Sequence, residues 1–280
     1  VDRYVTQWEA AEDEQWMINS HNGIKELGIP PVKLETEYPV LWNHIVAHEK
    51  KLVVRLDKGD HWSNLRNCAY IRDFQKPKIV YPNMTKYLPF YLDTTEHFFI
   101  NDKAFILTAE TESLAYLTAA LNSTVFRCCF MDNFPNLGED RRELRKIFMD
   151  KIPIKKPTAQ QAALFEALVP MVQATKAESQ KSDNSELRSV AVFLEEVIDA
   201  CVMEVYFSDH MAEHRLGIMA HVTPLLQDFD AAAPPAKQVA IAQQFYAQAN
   251  DSKHPIRNIL IRIPVDSPDL LAVIQREGAV

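Results

Sequence analysis

Between Asp57 and Tyr70 the chain reads DKGDHWSNLRNCAY, and four side chains in that stretch have the chemistry to read a nucleic-acid base. Arg66 carries forked donors that match guanine O6 and N7, and the carboxamides of Asn64 and Asn67 match adenine N6 and N7 in the major groove. Trp62 adds a flat apolar face suited to stacking. Gly59 permits a sharp turn just ahead of them. Trp62, Asn64, Arg66 and Asn67 are therefore candidates for base readout. The competing reading is a capped loop with Trp62 in a minor core.

A second group of residues suits the sugar–phosphate backbone. Arg141, Arg142, Arg145 and Lys146 place four basic groups within six positions, the densest such cluster in the chain. On the start of a helix they would project to more than one side, some toward phosphate oxygens. The alternative is salt-bridging with Glu139, Asp140 and Glu143. Lys58, Lys76, Lys78 and Lys86 complete the candidate phosphate contacts. The net charge of −8 speaks against a nucleic-acid partner, but its distribution does not. Residues 50–156 carry 18 basic and 13 acidic groups, whereas residues 1–49 carry 3 and 9, and residues 157–280 carry 9 and 16. A basic middle between acidic ends is the asymmetry expected where one section meets phosphates. Ordinary fluctuation of a solvated surface would give the same excess.

The elements that must position these residues centre on Lys76–Thr108. Four strands are expected there: Lys78–Tyr81, Leu88–Leu92, Phe98–Ile100 and Ala104–Leu107, all rich in Val, Ile, Phe and Tyr. Pro82-Asn83, Asp93-Thr94-Thr95 and Asn101-Asp102 supply the turns between them. Upstream, Arg3–Trp8 and Gln15–Ile18 read as short strands, Asn22-Gly23 as a turn tolerating positive φ, and Tyr38–Leu52 as a helix with Pro39 in its first turn. Downstream, Glu112–Leu121 is a helix, and Asn122-Ser123 can cap a second over Thr124–Met131. Ile152–Ile154 reads as an extended exit strand. Thr158–Lys181 and Asn184–Tyr206 then form a helical hairpin joined at Ser182-Asp183. Ala231–Ala236 is a linker, Lys237–Ala249 a helix, Asn258–Ile263 a strand and Asp269–Arg276 a last helix.

Other chemistry is thinner. His44 and His48 lie four apart without an evident third metal ligand. His210, Glu213 and His214 fit the H-x-x-E-H pattern of a zinc metalloprotease, again without further ligands; a surface helix is the default. Cys68, Cys128, Cys129 and Cys201 form no CxxC pair, and Cys128 and Cys129 read as packing residues; a reducing cytoplasm fits this usage. No apolar run approaches the ~20 residues that a membrane span needs. The chain starts at Val1 with neither Met nor a signal-like segment, which suggests a fragment of something larger.

RLDKGDHWSNLRNCAY, KPKIVYPNMTKYLPFYLD, FFINDKAFILT, YLTAALNSTVF and FMDKIPIKKP follow one another in order. Together they resemble the TaqI-like C-terminal specificity domain of type IIG restriction–modification enzymes and related adenine-specific DNA methyltransferases. HNGIKELGIP and YPVLWNHI are similar to the lead-in that such enzymes place before it. The resemblance covers residues 16–156 and extends loosely over 157–207. It implies a chain that binds double-stranded DNA and selects the sequence to be methylated, with or without a fused endonuclease. The methyl group would come from S-adenosylmethionine on an upstream methyltransferase domain. The Asn-Pro-Pro-Tyr signature of that domain, its Gly-rich cofactor loop and a nuclease motif are absent here, so catalytic residues, cofactor and metal are expected to be none in this chain. After LRNC the sequence departs from the aromatic-rich pattern, at a variable position, which leaves the recognised bases undetermined.

The expected fold class is α+β (mixed α/β): a short-stranded recognition domain with flanking helices over 1–156, a helical hairpin over 157–207 and a mainly helical region over 208–280. The rivals are a docking module of a phage-defence complex without DNA readout, the zinc metalloprotease, and a type I specificity subunit. The last is disfavoured by the absence of an internal repeat.

Overall fold

The computed structural model describes residues 17–139 and 141–275, so the strand expected at Arg3–Trp8, the first half of that at Gln15–Ile18, and Asp140 and Arg276 lie outside the described residues; Met17 and Ile18 form no strand. The chain divides at 75/76 into two compact units.

The first unit, described over residues 17–75, is held mainly by polar groups. Its buried residues among those described are Ser20, Asn22, Leu34, Ser63, Asn64 and Phe74. The Asn22-Gly23 turn forms as expected, with Gly23 at φ +86° and a would-be Cβ only 2.9 Å from the Ile29 carbonyl. Three short helices follow, α1 (Leu34–Glu37), α2 (Pro39–Val46) and α3 (Glu49–Val53). The single helix expected over Tyr38–Leu52 is thus broken at Ala47-His48. Neither α2 nor α3 buries a residue, and a short helix without a packed face has little to prolong it.

The second unit starts with a three-stranded antiparallel sheet in the order β3-β1-β4. It comprises β1 (Lys78–Pro82), β3 (Tyr91–Asp93) and β4 (Ala104–Leu107), with β2 (Met84–Thr85) between β1 and β3 in the chain. In β1, Ile79 faces Leu92 on one side and Leu107 on the other.

Two of the four expected strands are shortened or lost, and the reasons are local. Leu88–Phe90 stays outside the ladder, because the Asn122 carboxamide takes both polar groups of Phe90: its Oδ1 accepts from Phe90 N at 3.1 Å and its Nδ2 donates to Phe90 O at 2.7 Å. Gln173 repeats the pattern two residues on, at Leu92 N and O, both at 3.0 Å. The two amides thereby cap the open edge of β3, which would otherwise offer unpaired backbone to another strand. Phe98–Ile100 forms no strand either. The Asp93 carboxylate accepts from His97 N and Phe98 N at 2.9 and 2.8 Å, and His97 takes φ +54°, so this segment turns instead of pairing.

Helices α4 (Leu114–Asn122) and α5 (Thr124–Asn133) are capped by the hydroxyls of Ser113 and Ser123. They pack aromatic groups against the sheet: Phe90 lies 5.2 Å from Tyr81 and 5.8 Å from Phe126, ring centre to ring centre. Strand β5 (Arg142–Glu143) pairs with β2, and α6 (Lys146–Met149) follows. Residues 152–154 enter no ladder. The Tyr116 and Tyr206 hydroxyls instead donate to the carbonyls of Lys155 and Pro153 at 2.5 and 3.4 Å.

The hairpin of α7 (Ala159–Lys181) and α8 (Ser185–Tyr206) matches expectation, with a Thr158–Gln161 capping box and Asn184 as the second cap. Lys176 and Glu195 form a buried ion pair at 2.7 Å between the two helices. Beyond it come α9 (Ser208–Glu213), α10 (Met219–Val222), α11 (Pro235–Ala249), α12 (Pro255–Asp266) and α13 (Pro268–Ile274). The strand expected at Asn258–Ile263 lies within α12, whose buried residues Ile256, Ile259 and Ile263 repeat at helical spacing. The β-branched run concealed that period.

The architecture is α+β, and one apolar core runs from Ile79 to Ile274. No single helix among the described residues is long and apolar enough to cross a membrane. The apolar pair α4–α5 turns by 68° between its members, and α4 is almost wholly buried in the core. Replacing Asn122 by Ala would leave two buried backbone groups of Phe90 unpaired. We expect a loss of about 2–4 kcal/mol in urea unfolding, against under about 0.5 kcal/mol for Val192→Ala on an exposed helix face.

Candidate nucleic-acid interface

The loop over 57–67 is shaped by a polar zipper to the segment 20–32. Ser20 O accepts from Leu65 N at 2.8 Å, and Ser20 Oγ donates to Ser63 O at 2.7 Å. Asn22 Oδ1 accepts from Asp60 N at 2.9 Å, while its Nδ2 donates to Asn67 Oδ1 at 2.8 Å. Gly59 is required where the strands of this zipper cross, since a Cβ there would come within 2.6 Å of Leu65 O and 2.7 Å of Asn22 Oδ1. Arg55 donates to the Asn64 carbonyl at 3.3 Å from the other side.

This network corrects one of the four base-readout candidates. Asn64 is only 2% exposed, and its Nδ2 lies within 3.4 Å of three carbonyl oxygens, those of Ser20, His21 and Val32. Its amide is consumed by the loop itself. Trp62 is half-buried and packs at 5.2 Å on Trp42 from α2 and at 5.3 Å on His61. Arg66 and Asn67 stay exposed, and Arg66 has no hydrogen bond or ion pair among the described residues. Lys58 is partly buried and donates to the Val53 carbonyl. Sequence reasoning missed Asn22, Trp42 and Arg55. Asn22 and Trp42 sit in the lead-in motifs, but nothing in their spacing announces a contact some twenty to forty-five positions away.

In the second unit the cationic candidates separate by burial. Lys78 is fully buried, with its Nζ 2.5 Å from Asp93 Oδ2. It cannot reach a phosphate, and the assignment is corrected to a structural ion pair. Arg142 is likewise buried in β5, donating from Nη1 to Phe134 O at 2.7 Å. Lys76, Lys86, Arg141, Arg145 and Lys146 are exposed. Arg141 pairs with Glu139, Arg145 with Glu143 at 2.6 Å and Lys146 with Asp150 at 2.7 Å. Such solvent-exposed pairs are each worth about 0–1 kcal/mol, so a phosphate can displace the carboxylate. The cluster is not the start of a helix: Arg142 belongs to a strand and only Lys146 opens α6.

Residues 27–154 match the family model of the TaqI-like C-terminal specificity domain. The resemblance seen in the motifs holds over that stretch. No curated protein matches the chain. All twelve candidate DNA contacts, from Lys58 to Lys146, fall inside the matched stretch, and the HNGIKELGIP motif lies mostly ahead of it.

The remaining histidine and cysteine candidates lie elsewhere. His210 and His214 have ring centres 4.4 Å apart, and His210 Nε2 is 2.8 Å from Ser267 Oγ. Among the described residues no group of three or more His, Cys, Asp and Glu is placed to hold a metal ion. The zinc reading of His210, Glu213 and His214, and the pairing of His44 with His48, therefore find no metal-binding group among the described residues. Burial raises the thiol pKa values of Cys129 and Cys201, the reverse of what a nucleophile needs.

The two halves of this assignment give opposite mutational signatures. Asn64→Ala should release the zipper and cost about 2–3 kcal/mol, read as faster hydrogen exchange at Gly59 and Leu65. Arg66→Ala should leave that exchange unchanged. Lys78→Ala should cost about 3–5 kcal/mol in denaturation, because it strands a buried carboxylate, while Lys86→Ala should stay within about 0.5 kcal/mol of the parent.

Proposed function

We propose that this chain reads the sequence of double-stranded DNA as the target recognition part of a restriction–modification enzyme. The observation that carries this reading is the match of residues 27–154 to the specificity domain, within which the polar zipper fixes a loop that leaves Arg66 and Asn67 exposed. In the finer form of the proposal the parent is an adenine-specific DNA methyltransferase, with or without a fused endonuclease. Its catalytic domain binds S-adenosylmethionine, and the present chain chooses the site.

The division of labour follows from chemistry. Lys58, Lys76, Lys86, Arg141, Arg145 and Lys146 supply positive charge for phosphates, which carry no sequence information themselves. Arg66 and Asn67 supply directional donors for base edges, and Trp62, braced by Trp42, stiffens the loop that presents them.

Titration of labelled random-sequence duplexes with the full chain over a range of salt concentrations tests the electrostatic part. Neutralising about four to six phosphates gives a log–log slope of about −4 to −5. Lys86→Ala should weaken binding to all duplexes alike and reduce that slope by roughly one. Arg66→Ala should cost about 1–3 kcal/mol on a preferred site and little on others. No affinity at about 50 mM salt would instead favour a docking module that reads no DNA.

A further inference from the structure

The hydrogen-bond network around Asn67 fixes which half of its carboxamide is left for a ligand. The chain of reasoning starts at a group that cannot change role. The backbone N–H of Asp60 can only donate, so the Asn22 atom 2.9 Å from it must be the carbonyl Oδ1. The other end of the Asn22 amide is then the NH2, which can only donate. Its partner at 2.8 Å is therefore Asn67 Oδ1, the acceptor. Asn22 is itself buried, with the Gly59 backbone packed against its amide, which holds it in this orientation. Asn67 is exposed, and its Nδ2 has no partner among the described residues.

We infer that Asn22 is a positioning residue that holds Asn67 with its NH2 as the free half of the amide and so gives the loop a preference for guanine; the inference rests on the DNA-reading function proposed above. A free asparagine pairs best with adenine, because the base offers one donor and one acceptor and the amide answers both. With one lone pair of its oxygen taken by Asn22, the NH2 is the half of Asn67 that has no partner among the described residues, and it leads toward a base edge. The neighbouring Arg66 has donors and no acceptor. Guanine is the base whose major-groove edge presents two acceptors, O6 and N7, and no donor. Cytosine, with its N4 amino group, is the base that two donors reject. The sequence alone read Asn67 as suited to adenine; the Asp60–Asn22–Asn67 relay reverses that reading.

The test is selection of bound duplexes from a randomised pool by the full chain and three variants, followed by sequencing. The parent should select a site containing a guanine whose enrichment falls by roughly tenfold in Asn67→Ala. Asn22→Asp keeps an acceptor for Asp60 N but faces Asn67 with a second acceptor. Asn67 must then turn its amide over to donate inward, and its carbonyl becomes the outward group. The preference at that one position should move from guanine to adenine or cytosine, the bases with an amino group, while other positions keep theirs. Asn67→Asp places an acceptor at the same point without touching the buried residue, and should make the same move. If Asn22→Asp fails to fold by circular dichroism, the parent site decides: guanine at the position lost in Asn67→Ala supports the inference, and adenine there overturns it.

A merely structural role for Asn22 would lower affinity for every site and leave the selected base unchanged, and that result would overturn the inference. So would a parent site unaffected by Asn67→Ala, which would leave the DNA-reading function standing. A parent that selects no sequence at all would overturn both.

Discussion

A carboxamide side chain is the one neutral group that can stand in for a peptide, because it carries an acceptor and a donor at the spacing of a backbone partner. This molecule depends on that equivalence wherever regular structure runs out. Asn122 and Gln173 close the open edge of β3 by pairing with Phe90 and Leu92 as a neighbouring strand would. Asn22 and Asn64 each make half of such a pairing between the segment 20–32 and the loop 57–67, Asn22 accepting from Asp60 N and Asn64 donating to Val32 O. Buried backbone groups must be paired, and in a unit with only Leu34 and Phe74 as buried hydrophobic residues among those described, these amides do the organising that a core does elsewhere.

The consequence is a separation between residues that shape the surface and residues that are available on it. Neighbours in sequence fall on opposite sides of that line. Asn64 is spent on three carbonyls while Arg66 has no partner among the described residues; Arg142 is buried against Phe134 O while Arg141 and Arg145 are exposed and pair with carboxylates. Lys78 and Asp93 form a buried pair in which Asp93 also organises the His97–Phe98 turn. The positive charge at the surface is thus smaller than the count of basic residues suggests, and in Arg141, Arg145 and Lys146 it sits in exposed ion pairs, which are weak.

Much of the scaffold was legible beforehand. The α7–α8 hairpin with its starts near Thr158 and Asn184, the Ser123 cap of α5 and the turn at Gly23 all follow from local rules that hold within one helical turn or one tight turn. β1 and β4 were legible from apolar, β-branched content. The misreadings share a cause, which is that a distant group competed with the local preference. Phe98–Ile100 has strand composition, yet a carboxylate at Asp93 holds its start in a turn. Asn258–Ile263 has β-branched composition, yet a helical face of isoleucines has a core to enter.

The candidate site shows the same boundary more sharply. By itself the sequence determined the family resemblance, the α+β class, the basic middle of the chain and the presence of forked hydrogen-bonding side chains on a glycine-containing loop, because these are properties of residue type, order and short spacing. Only the tertiary structure decided which of those side chains are at liberty. Asn64 and Asn67 are identical in composition and three positions apart, and a hydrogen bond from Asn22, 45 residues away, leaves one half of Asn67 exposed, while carbonyls 32 to 44 residues away consume the amide of Asn64. Partners at that separation are set by how the chain folds back on itself, and no local pattern records them.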